Sequence, residues 1–114
     1  MEFKELEEKV LEWADSHELL YEENADKQFA KFIEEAFEFK TEMEDVLSYT
    51  APYVDEAVDR MKLEMGDVFV TLIILCKQLD IDPQECLELA YEKIKDRKGE
   101  TINGCFVKAE DLHD

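Results

Sequence analysis

Apolar residues recur along the first part of the chain at steps of three and four. Phe3, Leu6, Val10, Trp13, His17 and Leu20 trace one side of an amphipathic helix expected over about residues 1–21, because such offsets stack on one face of a 3.6-residue repeat. Residues 22–26, Glu-Glu-Asn-Ala-Asp, then read as a polar connection in which Asn24 or Asp26 can cap the next helix. This second helix is expected over about 27–47, with Phe29, Phe32, Ile33, Ala36, Phe37 and Met43 as its apolar stripe. Ser48 to Pro52 should break it, since the residue before a proline is pushed out of the helical region.

A third helix should start near Tyr53 or Val54 and run to about Leu79. Its first half turns Val54, Ala57, Val58, Met61 and Met65 inward, and from Val68 to Cys76 it is apolar on nearly every side. A helix of that kind must be surrounded, so self-association, first as a homodimer, is expected, the alternative being a central helix buried within one chain. The fourth helix has the clearest start. Asp82-Pro83-Gln84-Glu85 supplies a capping carboxylate, a proline at the first helical position and a capping-box Glu. Cys86, Leu87, Ala90, Tyr91 and Ile94 should line its buried face, and basic residues run to position 98 before Gly99. Beyond it, over about 100–108, an Asn103-Gly104 pair between two β-prone pieces predicts a small hairpin. The residues from Lys108 onward are expected to fray.

The pattern is therefore all-α: a four-helix bundle with a short C-terminal hairpin, in one domain over 1–114. Composition narrows the function. Thirteen basic against 31 acidic residues give a net charge of −18, which disfavours nucleic-acid binding, because that depends on Lys and Arg displacing counterions. The apolar run around Val68–Cys76 is too short to span a membrane, which takes roughly 20 residues. The charged N-terminus lacks a secretion-signal pattern, so a cytoplasmic protein is expected. The three cysteines show no CxxC spacing and read as reduced, buried thiols, and the two histidines exclude a zinc cluster.

Among so many carboxylates the useful ones have unusual neighbours. Glu34, Glu35 and Glu38 form Glu-Glu-x-x-Glu on the second helix, and Glu64 and Asp67 stand three apart on the third. Residues three apart lie on one side of a helix, one turn from each other. Arg60 and Thr71 extend the line of Glu64 and Asp67 on a helix about to be buried. Buried carboxylates need compensation, from Arg60, another basic side chain or a metal. Two antiparallel helices with such pairs would gather four carboxylates, an oxygen-only set suited to Mg²⁺ or Mn²⁺.

A second cluster is basic. Lys93, Lys95, Arg97 and Lys98 fall within six positions, and Lys93 and Arg97, four apart on a helix, could meet phosphate oxygens together. A basic spot beside an acidic metal site suits a ligand that carries negative charge and chelates metal, such as a nucleoside triphosphate with Mg²⁺.

Glu34-Glu35-x-x-Glu38, then 25 residues, then Glu64-x-Gly-Asp67 resembles the EExxE…ExxD signature of the MazG-like all-α nucleoside triphosphate pyrophosphohydrolases. The stretch from Ala90 to Gly99 is also similar to short MazG-like proteins, including phage-encoded ones. The resemblance implies a helical bundle that forms homodimers or homotetramers and cleaves a nucleoside triphosphate between its α and β phosphates. It implies that Glu35, Glu38, Glu64 and Asp67 hold Mg²⁺, with Glu34 beside them, and that Lys93 and Arg97 lie near the phosphates. Glu38 or Glu35 would take a proton from the attacking water. Lys31 and Trp13 are further candidate site residues; Trp13, Tyr49 and Tyr53 could stack on a base, and His17 reads as packing. The competing expectation is a non-catalytic acidic helical protein that mimics nucleic acid and binds a basic partner.

Overall fold

The computed structural model describes residues 1–48 and 54–112. The first helix, α1 (Phe3–Ser16), ends earlier than its hydrophobic repeat suggests. Glu18 enters the left-handed region at φ 57°. The Leu19 amide then donates to the Ala14 carbonyl at 2.9 Å and the Glu18 amide to Asp15 at 3.0 Å. These are the two bonds of a Schellman stop, so His17 and Leu20 leave the helical face.

A 3₁₀ turn, Glu22–Asn24, stands where a plain connection was expected and leads directly into α2 (Ala25–Leu47). Asn24 occupies the N-cap position, yet its side chain makes no capping bond. Asp26 lies inside the first turn, where a carboxylate suits the helix dipole. The proline break expected at Ser48–Pro52, apart from Ser48 itself, and the stacking candidates Tyr49 and Tyr53 fall outside the described residues.

The third helix, α3 (Val54–Gln78), closely matches its expected span. It stops as α1 does: Asp80 takes φ 55°, and Ile81 and Asp80 donate to Cys76 and Lys77 at 2.9 and 3.1 Å. Helices α2 and α3 pack antiparallel. Gln28, early in α2, donates to the Thr71 carbonyl late in α3 at 3.1 Å, while Glu42, late in α2, meets Arg60 early in α3. Helix α1 lies against α3, where Phe3 and Phe69 meet edge to face with ring centres 6.0 Å apart. Gln78 donates to the Leu19 carbonyl at 2.7 Å, tying the end of α3 to the turn after α1.

The core of this three-helix unit is thin. Among the described residues, Ala14, Ala57, Ile73 and Ile74 are its buried apolar residues, and burial of an Ile contributes on the order of 2 kcal/mol. The expected apolar stripe of α2 is only half right. Phe32, Ala36 and Met43 turn partly inward, but Phe29, Ile33 and Phe37 remain 53%, 38% and 64% exposed. The one buried residue of α2 is Glu35. Two apolar lines run side by side on this helix, and α3 covers the one that carries the carboxylates.

The chain divides into two compact units, Met1–Ile81 and Asp82–Asp114. In the second, α4 (Pro83–Ile94) has Pro83 in its first turn as expected, but the Asp82 side chain forms no capping bond. The helix also ends before Arg97: the Arg97 amide donates to Ile94 at 3.0 Å in a tighter turn. None of the apolar residues expected to be buried on α4 is buried; Leu87, Tyr91 and Ile94 are exposed.

The hairpin pairs β1 (Gly99–Ile102) with β2 (Cys105–Lys108), setting Gly99 opposite Lys108. Asn103 and Gly104 both take positive φ, 51° and 79°, as a type I′ turn requires. Instead of fraying, the chain continues into a 3₁₀ turn, Ala109–Asp111, anchored by the Ala109 amide donating to the Lys98 carbonyl at 2.8 Å. The cysteines are not the buried thiols expected: Cys86 and Cys105 are exposed and Cys76 is only half-buried. Among the described residues, no helix is long and apolar enough to cross a membrane.

Candidate metal centre

Glu35 faces inward because it shares a side of α2 with Phe32, Phe39 and Glu42, four residues that are buried or half-buried. Glu64 and Asp67 occupy the facing side of α3. One carboxylate oxygen from each of Glu35, Glu64 and Asp67 can be chosen so that all three lie within 4.8 Å of one another. Thus two residues three apart on one helix and one from its antiparallel neighbour converge.

The charges in this cluster are poorly balanced by protein cations. Lys31 Nζ lies 3.1 Å from Glu35 Oε1 and 3.5 Å from Glu34 Oε2. Its ammonium is held more tightly protonated, first by the hydrogen bond to Glu35 and then by the charge of Glu34. Arg60, which could have served Glu64, instead reaches across to Glu42 at 3.0 Å. Glu35 Oε2 and Glu64 Oε2 are buried without a hydrogen-bond partner. A buried carboxylate oxygen in that state is costly.

Glu38 sits at the edge of this group. A proton on its carboxyl would be shared with Glu35, and this hydrogen bond, followed by repulsion from Glu35, raises its pKa above the ordinary 4.5. Glu64 is also raised, first by loss of solvent and then by the charges of Asp67, Glu35 and Glu42. Both shifts say that the site lacks positive charge. The orphaned oxygens and the all-oxygen donor set fit a hard divalent cation.

The remaining candidates lie elsewhere. Glu34 is at the surface beside Lys31. Trp13 lines an apolar cavity of about 340 Å³ between α1 and α3, with Leu6, Val10 and Val70, and its ring centre is 4.7 Å from that of His17. Lys93 and Arg97 do share a site, although not as helical neighbours: both line a cavity of about 370 Å³ in the second unit. The Arg60–Glu42 pair escaped sequence reasoning because its partners are 18 residues apart. The Lys31–Glu35 contact had a legible signal in its i, i+4 spacing.

The sequence matches the MazG nucleotide pyrophosphohydrolase domain over residues 2–101. The chain belongs to the MazG family. No curated protein and no solved structure matched it. Membership makes this a chain of a nucleotide pyrophosphohydrolase family, and its acidic cluster is one that could hold a metal ion.

Proposed function

We propose that this MazG-family protein is a Mg²⁺-dependent nucleoside triphosphate pyrophosphohydrolase, releasing a nucleoside monophosphate and pyrophosphate. The observation that carries this reading is the convergence of Glu35, Glu64 and Asp67 around two buried oxygens that no protein group satisfies. Glu35, Glu38, Glu64 and Asp67 are the residues that would hold Mg²⁺, with Mn²⁺ as an alternative. When bound, the ion supplies charge neutralisation for the triphosphate and a lower pKa for water.

The chain's own groups supply the rest. Glu38, the carboxylate of the four with the more open position, accepts the proton of the attacking water. Lys31 holds Glu35 through Oε1 and so fixes the orientation of its carboxylate. Lys93 and Arg97 bind phosphate oxygens, where Arg offers a planar fork and Lys a point charge. The exposed line of Phe29, Ile33 and Phe37 supports a homodimer or homotetramer, in which a second copy covers it. An intracellular nucleotide pool would be the matching substrate source, which supports a cytoplasmic location.

The test is a panel of ribo- and deoxynucleoside triphosphates incubated with Mg²⁺, with products separated by chromatography. Monophosphate plus pyrophosphate, lost in Glu38→Gln, is the expected result. Diphosphate plus orthophosphate would mean that a different bond is cut. No product and no metal binding would leave the acidic protein with a basic partner as the better reading.

A further inference from the structure

The basic cavity in the second unit contains more than the basic residues its sequence pattern singles out. Its walls include Lys93, Asp96, Arg97 and Lys98 from the end of α4 and the turn after it, and Lys108 and Glu110 from β2 and its extension. Four cations thus face two carboxylates, in a chain whose net charge is −18. Local positive charge against that background selects a small, multiply charged anion over a long polyanion, which the rest of the surface would repel.

Lys108 reaches the cavity by a defined route. The hairpin register sets it opposite Gly99, and the next residue, Ala109, donates to Lys98 at 2.8 Å. Gly99 lets the strands approach: a Cβ there would stand 2.1 Å from the Val107 carbonyl oxygen. The backbone therefore holds Lys108 beside the Lys98 turn. Its ammonium is 3.9 Å from Glu110 Oε1, a loose, exposed pairing that costs little to give up. Lys108 also lies beyond the matched MazG domain, which ends at residue 101.

We infer that Lys108, delivered by the hairpin, is a further phosphate-binding residue of this cavity, acting with Lys98 beside the Lys93 and Arg97 of the proposed function on a polyphosphate anion. Identifying the anion as the pyrophosphate end of the substrate rests on the proposed function; the anion site itself does not. Lys108 supplies a point charge that can follow a phosphate group, and Arg97 supplies fixed bidentate geometry.

The test is a calorimetric titration of the full chain with inorganic pyrophosphate, without divalent metal so that the acidic cluster takes no part. Lys108→Gln should weaken binding about tenfold, as loss of one charge-assisted hydrogen bond does, and Lys108→Arg should largely retain it. Glu110→Gln should tighten binding, a change that damage to the hairpin would not produce. Cross-strand NMR contacts between Thr101 and Phe106 check that the hairpin persists in each variant. The inference is overturned if the wild-type chain fails to bind pyrophosphate, if Lys108→Gln binds as well as wild type with the hairpin intact, or if Glu110→Gln weakens binding. Lys108-dependent pyrophosphate binding without hydrolysis of any nucleotide would sustain the cavity and remove the enzyme. Hydrolysis with unaltered KM and unaltered pyrophosphate affinity in Lys108→Gln would do the reverse.

Discussion

Lys31 Nζ rests 3.1 Å from one oxygen of Glu35 and leaves the other buried and unpartnered. The carboxylate side chain is only 9% exposed, whereas that of the lysine is 50% exposed. A half-solvated ammonium offsets little of what it costs to bury its partner. The pair therefore fixes how Glu35 points more than it stabilises the charge. Glu35 belongs to the same cluster as Glu64 and Asp67.

Glu35→Gln should retain the helical circular dichroism of the parent and lose most of its Mg²⁺-induced rise in Tm. A specific site stabilises the folded state in proportion to its occupancy, so the wild-type rise should exceed that given by Na⁺ at equal ionic strength. Equal rises with the two cations would assign the effect to general screening.

Acid should stabilise the metal-free protein over a defined range. Glu38 and Glu64 have folded pKa values above their ordinary 4.5, so each binds protons more readily when folded than when unfolded. Their contribution grows as pH falls from neutrality through the raised values and stops growing below about 4.5. Thermal melts in EDTA should show a Tm that climbs from pH 7 toward pH 5, with a shallower climb in Glu64→Gln. An equal slope in the variant would exclude Glu64 as a source.

Glu18 and Asp80 hold the left-handed positions at which α1 and α3 stop, and L side chains there cost about 1 kcal/mol relative to glycine. Glu18→Gly should raise stability by up to that amount, or a few degrees in Tm, with Asp80→Gly giving less because Asp tolerates this conformation better. Urea unfolding at constant m-value checks both.

Gly99→Ala should damage the hairpin. Its methyl would press on the backbone oxygen of Val107, which cannot rotate away as a side chain can. Loss of the Gly99–Lys108 pairing, read by amide exchange, is expected, with the exchange of α3 unaffected. Preserved protection of β2 would show that the strands can separate enough to admit the methyl.

The uncovered line on α2 makes a prediction about assembly. Phe29→Glu together with Phe37→Glu should shift the protein toward monomer in sedimentation equilibrium, because charge at an apolar interface is costly to bury. An unchanged mass would place any association surface elsewhere.

Much of this protein is legible from neighbours in sequence. The span of α3, Pro83 at the start of α4 and the Asn103-Gly104 turn are set by residues within a few positions of one another. The same holds for the paired carboxylates, since Glu35 and Glu38, like Glu64 and Asp67, need only helical spacing to share a side. The ends of α1 and α4 were less legible. Glu18 and Arg97 are ordinary helical residues by propensity, and the turns that remove them depend on backbone bonds formed with the last helical carbonyls.

Tertiary structure decided the rest. Helix α2 carries two adjacent apolar lines, one with Phe29, Ile33 and Phe37 and one with Phe32, Ala36 and Met43, and a 3.6-residue repeat permits either to face inward. Only packing against α3 selects the second, and with it buries Glu35 opposite Glu64 and Asp67. Lys108 likewise has no sequence signal for its place beside Arg97, because that proximity arises from strand register and the close approach allowed by Gly99. Local spacing determines which side chains travel together; the partner surface determines whether they meet water or one another.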